Sequence, residues 1–313
     1  MSCAEEVVDW PYGIASGCFP GEEYLCIDLA DGEEAQSFPV SRMDKVPDGG
    51  WGDEYKTSKI VLKKINDGDK SFYIGVFEIT QRQWELVTGK RPSYYKNENC
   101  YAKRPVEKVS YDDIRGKVKG AEYPKSSAVD EDSFIGILRL KTKINGLDLP
   151  THKQWELACR EPNGDGGADL KVIARSGRFG VHHGYYLEPK AASPDCDSSN
   201  GTSEVGSYVP NGRGLYDMYG NVTEWCLDAG DLSDENLIVL GRLPNGARPF
   251  GIIRVLKGGH CEVGHCELYG YCGDLNCEKW LRLIGRYCSS SAVYGSSASF
   301  TCNVCGLRIA VVQ

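Results

Sequence analysis

After Leu215 the apolar residues of this chain come only in very short runs, separated by glycines and aromatic side chains. A helix that packs on a core needs an apolar stripe that continues over several turns, and no such stripe is found in this part of the chain. The pattern is typical of a domain built from loops and short strands around buried tryptophans. A chain of 313 residues can hold one large domain or two ordinary ones.

Three short helices are predicted before that point, and each has the same start signal. A Ser or Thr at the N-cap, with Gln or Asp three residues later, satisfies free backbone N–H groups in both directions. The signal occurs at Thr80, Ser110 and Thr151, and Gly89 supplies a left-handed end for the first helix.

Two strands are also predicted in this part of the chain. Residues 72–79 are rich in β-branched and aromatic side chains, which favour a strand. Residues 138–144 alternate between apolar and charged side chains and are followed by Asn145 and Gly146. This pattern predicts a strand that ends in a type I′ turn.

The composition excludes some partners. A net charge of -8 with 41% hydrophobic residues describes an ordinary globular protein, and nucleic acid is excluded because phosphate binding needs a concentrated positive field. No apolar run approaches the ~20 residues that span a bilayer, so membrane contact is expected only through a lipid anchor. Cys3 is the candidate acylated residue of a mature bacterial lipoprotein, which predicts an outer-membrane, cell-surface location; the alternative is a cysteine of no consequence.

The cysteines are distributed unevenly. Seven of the fourteen lie between Cys261 and Cys305, and the other seven are scattered over the preceding 260 residues. A set of structural disulfides would be spread out to close long loops, so this local excess needs another explanation.

Six sequence blocks follow one another along the chain: Phe77–Trp84, Pro105–Asp113, Leu149–Arg160, Gly214–Trp225, Val255–Gly259 and Gly306–Ile309. In their residues and their order these blocks resemble the formylglycine-generating-enzyme family, the sulfatase-modifying factors. The resemblance implies an α+β, C-type-lectin-like fold, rich in loops, with short strands and a few short helices. It implies one lectin-like domain over residues 71–313, with the strands and loops of residues 1–70 integrated into it.

The catalytic cysteines of that family are not matched. Counted from the paired glycines, the positions of the two copper-binding cysteines are Val263 and Leu268 in this chain. Cys261 and Cys266 have the same spacing two residues earlier, which leaves a copper-dependent formylglycine-generating oxidase as the alternative function. Since a shift of two residues moves a side chain by ~7 Å along a strand, we expect no enzyme activity.

The composition of residues 260–305 suggests a different role. Cys, Ser, Tyr, Gly and His fill 24 of these 46 positions, and they belong to the set that changing the adenines of an asparagine codon can produce. In this respect the chain resembles the variable proteins of diversity-generating retroelements, of the Treponema variable protein type. The resemblance implies a surface-displayed, non-catalytic protein with a diversified C-terminal binding region.

Tyrosine provides a large contact area with few torsions to freeze, and small polar residues adapt to many partners. We therefore predict a ligand-binding face in this region, for a protein or a surface glycan of unknown identity, and expect some of its positions to be buried. The candidate positions are His260, Cys261, Val263, His265, Cys266, Tyr269, Tyr271, Cys272, Asp274, Asn276, Cys277, Tyr287, Cys288, Tyr294, Phe300, Cys302 and Asn303.

No cofactor is required by this hypothesis, but the family resemblance implies a possible structural calcium ion. The matching positions are Asp217, Gly220, Val222 and Glu224, two carboxylates and two carbonyls around a turn, which suit an ion bound by oxygen. The alternative is that Asp217 and Glu224 simply hold the turn. A zinc site at the Cys302 and Cys305 pair is less favoured, because no second pair has matching spacing.

Overall fold

The computed structural model describes residues 22–117, 123–124, 126–160, 201–230, 237–240, 252–261 and 291–311. Within these ranges the strands and helices are short, and this mixture confirms the predicted α+β class. The strands are β1 Tyr24–Asp28, β2 Val40–Met43, β3 Lys59–Asp67, β4 Lys70–Gly75, β5 Leu147–Asp148, β6 Thr223–Ala229, β7 Leu237–Val239, β8 Ile253–Lys257, β9 Val293–Ser297, β10 Cys305–Gly306 and β11 Ala310–Val311. The helices are α1 Glu54–Thr57, α2 Gln81–Thr88, α3 Tyr111–Arg115, α4 Phe134–Thr142 and α5 His152–Cys159, with a 3₁₀ turn at Tyr101–Lys103.

The first sheet has the strand order β2-β1-β3-β4-β11-β5, and its neighbouring strands are antiparallel. Successive side chains of β3 enter two different apolar clusters, Leu62 on one face and Val61 on the other. The sheet is therefore packed on both faces. Strands β1 to β3 share it with β4 and with β11 from the C-terminal end of the described chain.

The second sheet has the order β10-β6-β8-β9-β7, with parallel pairs at both edges. Trp225 of β6 is fully buried, and its Nε1 donates to the carbonyl of Val109 at 3.0 Å. Strands β9 and β10 come from the predicted binding region. The described part of that region is thus built onto a sheet whose other strands are framework.

All three predicted helix starts are confirmed. The hydroxyls of Thr80, Ser110 and Thr151 each accept the backbone N–H three residues later, and the side chain at that position accepts the N–H of the cap. Gly89 ends α2 in the left-handed conformation, as predicted. Helix α2 is then fixed in place by Trp84, whose ring stacks on Phe134 of α4 at 4.6 Å.

The predicted strand at residues 138–144 is wrong, because these residues belong to α4 and the segment after it. Ser133 caps the helix, and Lys143 ends it in a left-handed conformation at φ 61°. Its buried face combines Phe134, Ile135 and Leu138, and it leaves Leu140 56% exposed. The alternation of apolar and charged residues therefore did not mark two faces of a strand.

Candidate functional site

The structure describes six of the predicted ligand-contacting positions: His260, Cys261, Tyr294, Phe300, Cys302 and Asn303. The other predicted positions lie outside the described residues, as does the predicted lipidation site Cys3. They are Val263, His265, Cys266, Tyr269, Tyr271, Cys272, Asp274, Asn276, Cys277, Tyr287 and Cys288.

Framework backbone groups hold the segment 298–304 in place. The N–H of Asp112 donates to the carbonyl of Ala298 at 3.0 Å, and that of Lys108 to Cys302 at 2.9 Å. Thr223 of β6 donates to Val304 at 2.8 Å. These three bonds use only the backbone of the segment, so they can form whichever side chains it carries.

Four of the six described positions keep part of their side chain at the surface. His260, Phe300, Cys302 and Asn303 are half-buried. The Asn303 amide donates to the Tyr95 hydroxyl at 2.9 Å, so this position lies beside a framework tyrosine from the loop after α2. These four residues remain candidates for the binding face.

Cys261 and Tyr294 are among the predicted positions that are buried, and ligand contact by their side chains stays a prediction. Their exposed fractions are 3% and 1%, and both lie in the larger apolar cluster. Tyr294 is on β9, which lies between β8 and β7, so its side chain is enclosed by the sheet and the core beneath it.

Cys302 and Cys305 form a disulfide, with their Cα atoms 5.4 Å apart. Metals bind the thiolate form of cysteine, and a bridged pair has none, so zinc binding through this pair is not supported. The alternative copper pair also fits poorly. A copper thiolate that oxidises an external peptide needs access to solvent, whereas Cys261 is enclosed and Cys266 lies outside the described residues.

Four charged side chains from distant sequence blocks meet in the interior: Glu78, Asp217, Glu224 and Arg308, each at most 2% exposed. The Glu78 carboxylate accepts the Asn221 amide at 2.7 Å and the backbone N–H of Val222 at 3.0 Å. Glu78 thereby fixes the turn that precedes β6.

Arg308 binds Glu224 through both Nε and Nη2, the latter at 2.9 Å from Oε1. Its other bonds go to the carbonyls of Gly75 and Tyr216 at 2.7 and 2.8 Å. Trp155 adds a hydrogen bond from Nε1 to Glu224 Oε2 at 2.7 Å. One guanidinium therefore ties β4, β6 and the segment before β11 together.

In this cluster three carboxyl groups face one guanidinium, and burial shifts the pKa of two of them, Asp217 and Glu78. Burial is the main cause that raises the pKa of Asp217 to about 6. Burial also raises the pKa of Glu78 well above its usual value, with a further contribution from the charge of Asp217. The unpaired charge is thus removed by protonation as the pH falls.

Of the predicted calcium ligands Asp217, Gly220, Val222 and Glu224, the two carboxylates differ in what they can offer an ion in this arrangement. Asp217 has a free oxygen, because Oδ2 accepts the N–H of Gly206 at 2.7 Å and Oδ1 has no hydrogen bond. Glu224 has none, since both of its oxygens are bound by Arg308 and Trp155. Calcium needs six to eight oxygen ligands, and it would have to displace the guanidinium to use Glu224.

The sequence did not reveal a partner for His152, and the structure shows one. His152 begins α5, and its Nδ1 lies 3.2 Å from Oδ2 of Asp228 on β6. The same oxygen accepts the backbone N–H of His152 at 2.5 Å. The hydrogen bond to Asp228 raises the pKa of His152 above its usual value of 6.5, against a smaller opposing effect of burial.

The His152→Gln variant is expected to lose part of the pH dependence of stability. A histidine whose pKa is raised on folding stabilises the protein fully below its unfolded pKa of about 6.5, and the effect is lost as the pH rises through the folded pKa. Melting temperatures between about pH 6 and 8 should therefore fall with pH more steeply in the wild type than in the variant. Parallel curves for the two proteins would contradict this role. The variant keeps the backbone bond to Asp228, so it isolates the charge.

In the described residues no helix is both long enough and apolar enough to cross a membrane.

Residues 63–279 match the family model described as "Sulfatase-modifying factor enzyme 1-like domain". Among curated proteins, the chain is 30% identical to the chaperone protein LppX of Paenibacillus barcinonensis, over 56% of this chain and 68% of that protein. It is 29% identical to the formylglycine-generating enzyme of Thermomonospora curvata, over 50% of this chain and 49% of that enzyme. The chain thus spans about half the length of this enzyme.

Among solved structures, Treponema denticola variable protein 1 aligns with a TM-score of 0.49 and 20% identity, over 82% of this chain and 96% of that protein. The curated relatives include a protein named as an enzyme and one named as a chaperone. Similarity to them does not by itself decide between catalysis and binding.

Proposed function

The chain belongs to the sulfatase-modifying factor enzyme 1-like family, whose model covers more than two thirds of it, and from this premise we propose that it is a non-catalytic binding protein. The family recognised from six sequence blocks is confirmed by that match, and with it the C-type-lectin-like fold. What remains to be explained is how a member of an enzyme family could work without catalysis.

One observation carries the proposal. The chain keeps the sequence blocks of the family, but it lacks the two catalytic cysteines. Blocks from distant parts of the chain supply Glu78, Glu224 and Arg308, which meet in one buried cluster. The positions that correspond to the two catalytic cysteines are Val263 and Leu268. Neither aliphatic side chain can bind copper or react with a thiol.

The binding region is proposed to be the C-terminal face, diversified by a retroelement and displayed on a bacterial cell surface through a lipid on Cys3. Its tolerance of varied side chains is supported by the backbone bonds that hold residues 298–304. The relative named as a chaperone supports a binding role for at least one protein of similar sequence. The ligand is proposed to be a protein, and no cofactor is required.

An assay for the alternative function tests this proposal. The purified protein is titrated with copper(I) and incubated with a sulfatase-type cysteine peptide, and formylglycine is measured by mass spectrometry. We expect no more product from the wild type than from Cys266→Ser. Turnover by the wild type that Cys266→Ser abolishes would establish the oxidase instead. A formylglycine-generating enzyme run in parallel shows that the assay works.

A further inference from the structure

We infer that a fixed pair of tyrosines, beside the variable positions, forms a constant contact area for an acidic protein ligand. We name Tyr94, Tyr95, Lys96, Lys108 and Asn303 together the tyrosine patch. The inference rests on the proposed binding function and extends the face onto framework residues.

The backbone of the two tyrosines is held from below by a buried carboxylate. Glu107 is fully buried, and its two oxygens accept the N–H groups of Tyr94 and Tyr95 at 3.0 and 2.9 Å. The Ser93 hydroxyl bonds both the N–H and the carbonyl of Glu107, at 3.2 and 3.3 Å. A loop fixed by four hydrogen bonds loses little further freedom on binding.

This rigid loop presents an aromatic side chain to solvent. Tyr94 is 64% exposed, and its ring meets that of Tyr95 edge-on at 5.2 Å. The Tyr95 hydroxyl in turn accepts the amide of Asn303. An exposed, preorganised aromatic residue next to variable positions has the character of a binding hot spot.

The charged residues around Tyr94 indicate which kind of partner this patch would bind. Lys96 and Lys108 of the patch are exposed, although the whole chain carries a net charge of -8. Arg91 is already paired with Glu98 at 2.9 Å. The excess of local positive charge complements a surface rich in carboxylates.

A protein fits this patch better than a neutral glycan. The N–H groups of Tyr94 and Tyr95 point inward to Glu107, and the Tyr95 hydroxyl is bound by Asn303. The groups that face solvent are an aromatic ring and the charged ends of lysine side chains, and aromatic surface is typical of protein interfaces. Sugar hydroxyls need several hydrogen-bond donors and acceptors that point toward them. Here the backbone N–H groups and the Tyr95 hydroxyl already form hydrogen bonds within the protein.

The test measures fluorescence polarisation with a short labelled peptide of alternating glutamate and tryptophan, and with the same peptide carrying lysine instead of glutamate. We expect the acidic peptide to bind about tenfold more tightly than the basic one, and Tyr94→Ala to weaken it about tenfold, the effect of losing one hot-spot residue. Tyr94→Ala should leave the melting temperature unchanged, because the ring is exposed. Leu140→Ser, at an exposed apolar residue of α4, is the matched control and should bind as the wild type does.

Several results would overturn the inference. These are equal binding of the two peptides, no binding of the acidic one, unchanged affinity of Tyr94→Ala, or displacement of the peptide by maltoheptaose. The Phe300→Ser variant separates this inference from the proposed function. If Phe300→Ser weakens binding and Tyr94→Ala does not, the C-terminal face stands and the tyrosine patch is excluded from it.

Discussion

Replacing Arg308 with methionine is expected to lower the free energy of unfolding by about 3–5 kcal/mol. Arg308 is the cation that faces three buried carboxyl groups, and it also satisfies the carbonyls of Gly75 and Tyr216. Methionine fills a similar volume but leaves Glu224 with an uncompensated buried charge. Urea unfolding of the two proteins, followed by tryptophan fluorescence, measures the difference.

Glu224→Gln is the matched control for this prediction. It removes one negative charge from a cluster that has too many. Its amide oxygen can take the place of Oε2 and accept from Trp155 and from Arg308 Nε, while the hydrogen bond from Arg308 Nη2 to Oε1 is lost. We therefore expect a smaller loss than in Arg308→Met. Equal losses in the two variants would show that the hydrogen bonds matter and the charge balance does not.

The Tyr294→Ser variant is expected to cost about 3–5 kcal/mol, the usual range for truncation of a large buried aromatic side chain. Tyr294 is 1% exposed and lies on β9 among the residues of the larger apolar cluster. Serine would leave a cavity and place a hydroxyl in apolar surroundings. A loss below about 1 kcal/mol, the range of surface substitutions, would mean that the ring is not part of the core.

Local signals made part of this fold predictable from the sequence. The capping boxes at Thr80, Ser110 and Thr151 were predicted correctly, because a cap and its partner are three residues apart and need no tertiary information. The wrong prediction of a strand at residues 138–144, which belong to α4 and the segment after it, shows the limit of local patterns. Its alternating pattern was short, and packing of Phe134 on Trp84 decides in favour of a helix.

The parts of the site that could not be predicted depend on long-range contacts. Glu107 and Tyr94 are 13 residues apart, and His152 and Asp228 are 76 apart. Nothing in the local sequence pairs them. The burial of Cys261 and Tyr294 could not be predicted from the sequence either, since cysteine and tyrosine are common both in cores and on binding faces.

The proposed function requires that the stability of the fold does not depend on which side chains the surface positions of the C-terminal region carry. This requirement is tested most directly by urea unfolding of the triple variant His260→Ser, Phe300→Tyr, Asn303→Ser. These substitutions stay within the residue types that fill the C-terminal region. The account predicts that the three together lower the free energy of unfolding by less than about 2 kcal/mol, below the cost of Tyr294→Ser alone. A loss as large as that of Tyr294→Ser would contradict it, because the displayed residues would then be part of the frame.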